Sequence, residues 1–143
     1  MQNGRSVAGF AVVVALALAP QSRGLAASAQ SFDGTWNVEV DCPDLGNVRG
    51  YNWRFPAQVT SGYLTGSYHS PTNDAMGELS GRIRPDGQAL LTLVGRTGPV
   101  AVAIGHPRPG TPFRYTANVR FSGSSGFGKR NQSRACALNF TRS

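Results

Sequence analysis

From Phe113 to Phe121 every second residue is apolar: Phe113, Tyr115, Ala117, Val119 and Phe121 alternate with Arg114, Thr116, Asn118 and Arg120. Successive side chains leave a pleated strand on opposite faces, so this segment turns one face to a core and the other to water. Wound as a helix, it would scatter the same apolar residues around the axis. Short alternating segments of this kind, rich in Thr and punctuated by Gly, fill the chain beyond residue 29, and none carries helical periodicity. The fold class is therefore all-β. The pattern predicts strands near 34–41, 51–59, 63–69, 77–84, 88–95, 99–104, 113–121 and 133–141. Ser61-Gly62, Pro85-Asp86-Gly87 and Thr97-Gly98-Pro99 are tight-turn sequences between antiparallel neighbours, Gly supplying a positive φ and Pro presetting the entry angle. Longer connections are expected at 42–50, 70–76, 105–112 and 122–132. The last contains Ser122-Gly123-Ser124-Ser125-Gly126-Phe127-Gly128, which has the composition of a flexible linker.

Cys42 and Cys136 are the two cysteines, and one disulfide between them is the simplest expectation. Set opposite each other on antiparallel first and last strands, they match Val40 with Leu138, Val38 with Phe140 and Trp36 with Arg142. Every one of these positions lies on the inward face; a slip of one residue would put the wrong face inside. Joining the first strand to the last also removes both sheet edges, through which small all-β proteins aggregate. The expected architecture is an eight-stranded antiparallel up-and-down barrel closed by strands 1 and 8, a single domain over residues 30–143. The bridge closes a loop of more than 90 residues, for which chain entropy gives roughly 4–5 kcal/mol.

Gly34-Thr35-Trp36 resembles the G-x-W of the calycins, the lipocalin and avidin superfamily of antiparallel barrels. In that superfamily the Trp packs against an Arg near the C-terminus, so the resemblance implies a structural pair of Trp36 and Arg142. Leu64-Thr65-Gly66-Ser67-Tyr68 and Leu79-Ser80-Gly81-Arg82 are similar, in order and spacing, to the third and fourth strands of avidin-type barrels. Tyr68 and Ser70 match ligand-binding positions there. Val38 and Cys42, however, stand where that family carries Asn and Ser, and no Trp follows Trp53, so biotin binding is not implied. Phe32 to Trp36, taken with Gly126-Phe127-Gly128-Lys129-Arg130 and Cys136, also resembles small uncharacterised exported bacterial proteins, a likeness that brings no activity with it.

Residues 1–29 read as a signal peptide: Arg5 supplies the positive start, Val7 to Ala19 the apolar run, and Ala27-Ser28-Ala29 an A-x-A cleavage site. The apolar run falls short of the ~20 residues that span hydrocarbon, so no stable membrane anchor is expected after cleavage. The protein is expected to be periplasmic or secreted, a setting that permits disulfides. Residues 30–143 carry 12 basic and seven acidic side chains, and Lys129 is the one Lys among those cations. Arg holds its charge at any relevant pH and forks onto oxyanions, so the excess is either a solvated basic exterior or the footprint of an anionic partner.

The inventory for catalysis is thin. His69 and His106 sit at loop positions, and the proximity in sequence of His69, Ser70 and Asp74 does not supply the geometry of a triad. Paired cysteines and isolated histidines lack zinc-ligand spacing, and Asp41 and Asp44 lack the repeated oxygens of a calcium loop. No enzyme activity, metal or cofactor is expected. Tyr51-Asn52-Trp53-Arg54-Phe55 interleaves aromatic and basic residues as single-strand-binding sheets do. Export argues against nucleic acid, and alternation explains the same residues with Tyr51, Trp53 and Phe55 inward. Gly126 to Arg130 lacks the helix and spacing of a phosphate loop and reads as a flexible hairpin. The apolar inward set suits a packed core, the favoured reading, or a small-ligand pocket. If a ligand is held, Trp53, Tyr68 and Tyr115 at the barrel mouth are its expected contacts. The expected function is that of a non-enzymatic exported barrel binding a small apolar molecule or an anionic surface. The alternative is a structural or inhibitor-like protein-interaction module acting through loop 122–132.

Overall fold

The alternating segments become eight strands in a computed structural model that describes residues 31–143; the signal-peptide reading of residues 1–29 lies outside the described residues. The strands are β1 (Gly34–Cys42), β2 (Tyr51–Thr60), β3 (Tyr63–His69), β4 (Met76–Arg82), β5 (Gln88–Arg96), β6 (Pro112–Ser122), β7 (Ser125–Arg130) and β8 (Ala137–Arg142). Each pairs antiparallel with its neighbours in sequence, and β1 pairs with β8 to close the barrel. The closing register is Trp36 with Arg142, Val38 with Phe140 and Val40 with Leu138. One step further along, Cys42 and Cys136 are bonded, their Cα atoms 4.1 Å apart. A disulfide of this kind fits an oxidising compartment. Tyr63 follows a two-residue turn in which Ser61 and Gly62 both have positive φ, 50° and 73°, the twist that a tight hairpin needs.

Two expected segments are corrected. Residues 99–104 are not a strand; Val100–Val102 form one 3-10 turn inside a crossing from 97 to 111. Backbone bonds from Thr97 N to Thr111 O and from Gly110 N to Thr97 O, both 2.8 Å, pin the base of this crossing. The place beside β5 is filled by β6, from Gln88–Arg120 to Arg96–Pro112. With Pro99 lacking an N–H, the apolar run after it has no ladder to join.

The second correction is the supposed flexible loop 122–132. Ser125–Arg130 are β7, hydrogen-bonded between β6 and β8, and the turn is only Gly123-Ser124. Gly126 and Gly128 take inward positions against large neighbours: a Cβ on Gly126 would come within 2.7 Å of the Phe121 ring, and one on Gly128 within 2.3 Å of the Asn118 carbonyl oxygen. These glycines are there because nothing larger fits, and their flexibility is not used. Residues 131–136 then form a separate turn, so β8 begins at Ala137 and not at 133.

The interior is filled at one end. Trp36 meets Phe121 edge-on at 5.3 Å and Phe121 meets Phe140 at 4.9 Å. The Trp36 indole N–H donates to the Phe32 carbonyl at 2.9 Å, while the Arg142 guanidinium lies 5.0 Å from the Trp36 ring and donates to the Ser31 carbonyl. That end is sealed. Leu64, Leu79, Leu91, Leu93 and Leu138 fill the middle, each fully buried and worth about 1.5–3 kcal/mol in apolar transfer. Towards the other end Trp53 and Tyr115 continue the core, and Tyr51, Tyr68 and Phe113 pack against it partly buried.

Candidate functional site: the barrel mouth

Two glycines let the aromatic rings at the open end lie against the sheet. Across β3, β4, β5 and β6 the register brings Tyr68, Gly77, Gly95 and Phe113 side by side, two rings flanking two residues without side chains. A Cβ on Gly77 would come within 2.8 Å of the Trp53 indole, and one on Gly95 within 2.8 Å of the Phe113 ring and closer still to the Met76 carbonyl. The rings therefore lie against the sheet. Trp53 stacks on Tyr68 at 4.4 Å and 14°, and Phe113 stacks on Tyr115 at 5.9 Å and 15°, with Trp53 and Phe113 6.2 Å apart. Over them is a cavity of about 550 Å³, roofed from the 97–111 crossing by Pro99, Val102 and Ala103. The volume lies in the ~300–1,000 Å³ range of small-molecule sites. A backbone bond from Arg49 N to Ala101 O, 2.8 Å, ties the crossing to the 43–50 loop.

The polar groups of the cavity come from the end of β7 and the turn after it. Asn131 N donates to Thr116 O and Gln132 accepts from Thr116 N, which anchors the turn on β6. Ser133 takes a left-handed φ of 55°, Cys136 N donates to Arg134 O, and Arg130 N donates to Cys136 O. The result tucks the Arg134 side chain inside at 2% exposure, lining the cavity together with Arg130. The Arg134 guanidinium lies 5.5 Å from the centre of the Tyr51 ring and that of Arg130 lies 4.0 Å from the Tyr115 ring. Ion pairs among the described residues join Arg54 to Glu39 and Arg84 to Asp86 on the exterior, so neither cavity arginine has a carboxylate. Nε and Nη2 of Arg134 and Nε of Arg130 are buried without a protein hydrogen-bond partner. A cation over a ring recovers about 0.5–2 kcal/mol, whereas taking a charge out of water costs several kcal/mol. A guanidinium cannot escape by losing its proton. The two guanidiniums thus bring positive charge to the cavity with no carboxylate beside them.

Burial, and then the neighbouring Tyr51 phenol, push the Tyr115 phenol far above its ordinary value. Burial raises Tyr51 as well, with the Arg130 and Arg134 cations pulling it back. The Tyr51 hydroxyl accepts from the Tyr115 O–H beside it, which helps hold Tyr115 neutral.

Trp53, Tyr68 and Tyr115, singled out from the sequence, all line this one cavity. Trp36 and Arg142 meet at the opposite, sealed end, and Cys42 and Cys136 are bonded beside the mouth. His69 is exposed at the end of β3, and His106 Nδ1 lies 3.1 Å from the Val100 carbonyl oxygen, so the fold does not assemble the two histidines into one site. Sequence reading passed over Arg130, Arg134 and Phe113 as site residues. A signal existed for the arginines. Arg134 has the inward parity of Cys136, Leu138 and Phe140, and Arg130 that of Gly126 and Gly128.

The class of protein so defined is a closed up-and-down barrel, sealed at one end and open at the other on an aromatic, cationic cavity. Comparison of the chain with protein-family models, with curated proteins and with solved structures finds no match.

Proposed function

We propose that this is an exported, non-enzymatic binding protein of calycin type that holds a small molecule with an apolar body in the mouth of its barrel. The observation that carries the reading is the ring-walled cavity of about 550 Å³ around Trp53, Tyr68, Phe113 and Tyr115. Periplasmic or secreted placement draws support from the signal-like residues 1–29 and from the Cys42–Cys136 disulfide. Calycin kinship draws support from Gly34-Thr35-Trp36, the eight-strand order and the Trp36–Arg142 contact. A binding role is favoured over catalysis because rings and guanidiniums converge on the cavity, while its lining residues include no His, Asp or Glu to serve as acid or base. The alternative of a protein-contact module working through 122–132 has less support, since Ser125–Arg130 belong to the barrel wall.

Two measurements test the reading. Native mass spectrometry of protein purified gently from the periplasm should show bound small-molecule mass. Titration with the neutral probe N-phenyl-1-naphthylamine should saturate and quench Trp53 emission. Val102→Trp, which plugs the mouth from the crossing loop, should weaken the probe by at least about tenfold, the loss of one well-packed apolar contact surface. Absence of both bound mass and saturable probe binding would overturn the proposal.

A further inference from the structure

We infer that the cavity at the mouth is built for an organic anion, an apolar body ending in a carboxylate, whose head is met by Arg134 and Arg130 and whose body lies on the Trp53–Tyr68 stack. This rests on the binding role proposed above and specifies the ligand class.

Four observations converge. Arg134 is 2% exposed and lines the cavity, yet two of its guanidinium nitrogens have no acceptor in the protein. Arg130 lines the same cavity with its Nε likewise unused. The ion pairs among the described residues lie elsewhere, on Arg54 and Arg84. The turn that holds Arg134 is fastened on both sides, by Asn131 and Gln132 to β6 and by the Cys136 disulfide to β1, so the guanidinium is positioned before any ligand arrives.

A planar guanidinium presents paired N–H groups that match the two oxygens of a carboxylate, a geometry stronger and more directional than a point charge provides. Facing this polar corner, the stacked rings accept a flat or flexible apolar body. A neutral apolar molecule would use the rings alone and leave the buried charge as it stands. An anion satisfies both halves of the cavity.

The test uses two probes of one shape, 1-naphthaleneacetate and the neutral alcohol 2-(1-naphthyl)ethanol, titrated calorimetrically into the disulfide-intact protein. One charge-assisted pair is expected to favour the carboxylate by about 10- to 100-fold. Arg134→Met should collapse that ratio towards one, Arg134→Lys should keep part of it, and Arg84→Met, at the far end of the barrel, should leave it unchanged. If the wild-type protein binds both probes equally, the anion inference falls while the cavity reading survives. If it binds neither, both fall. If the ratio survives Arg134→Met and disappears in Arg84→Met, exterior charge is responsible and the inference is overturned. Should Arg134→Met fail to fold, the wild-type ratio and Arg130→Met decide the question.

Discussion

Gly128→Ala separates two accounts of the Gly/Ser-rich segment by the sign of its effect. Were 122–128 a flexible linker, replacing Gly with Ala would restrict the unfolded chain and stabilise the protein by about 0.4–1 kcal/mol. In the barrel wall the added methyl would sit 2.3 Å from the Asn118 carbonyl oxygen, 2.5 Å from Val119 Cγ2 and 2.8 Å from Val119 Cα. Two of those atoms are β6 backbone, held by the Val119–Gly128 and Asn118–Lys129 pairings, and cannot withdraw without opening the ladder. Gly128 is not among the residues with positive φ, so backbone strain does not confuse the result. Overpacking of this kind costs about 1–3 kcal/mol or more. For a domain of this size each kcal/mol moves Tm by about 4 °C, so the variant should melt about 4–12 °C lower. Gly126→Ala, whose methyl would meet only side-chain atoms of Phe121 and Phe140 and no backbone, should cost less. Urea unfolding followed by tryptophan emission without reductant measures both, with a shifted midpoint and an unchanged slope as the expected form. A Gly128→Ala protein as stable as the wild type, or more so, would refute the placement of β7.

Two further outcomes follow from the same geometry. Replacing both Cys42 and Cys136 with Ser should cost about 4–5 kcal/mol by the chain-entropy argument for a sequence separation of 94. It should also weaken naphthaleneacetate more than its alcohol, because the turn carrying Arg134 loses its tie to β1; an unchanged ratio would show that the bridge does not position the guanidinium. On the alkaline side, a phenol whose folded value is raised binds its proton more tightly folded than unfolded. Stability is then fully present below the ordinary phenol value near pH 10 and is lost as pH climbs above it. Absorbance at 295 nm should therefore show a late phenolate step that coincides with unfolding and loses one tyrosine's share in Tyr115→Phe, the raised Tyr51 keeping the rest. Complete ionisation of all four tyrosines in the folded protein would contradict the burial of Tyr115.

Much of the barrel is legible from parity alone. A period of two is a local property of a pleated chain, so Trp36, Val38 and Val40, or Tyr115, Ala117 and Val119, announce their faces without reference to partners. Two cysteines of matching parity then align β1 with β8, and every inward residue of those strands follows. Composition misled where it stood in for packing. Gly126 and Gly128 look like linker residues until Phe121 and Val119 are seen lying across them, and Val100–Ile104 looks like a strand until β6 is seen in the place it would need. The mouth shows the same division. Trp53, Tyr68 and Tyr115 could be named as inward aromatics, but not that Gly77 and Gly95 give the Trp53 and Phe113 rings room to lie on the sheet. Nor could a string of letters say that Arg134, on an inward parity beside a cystine, ends without an acceptor. Which face a residue takes is settled within two or three bonds of its own backbone. What it meets there is set by atoms brought from tens of residues away, and burial, clash and unpaired charge are all properties of that meeting.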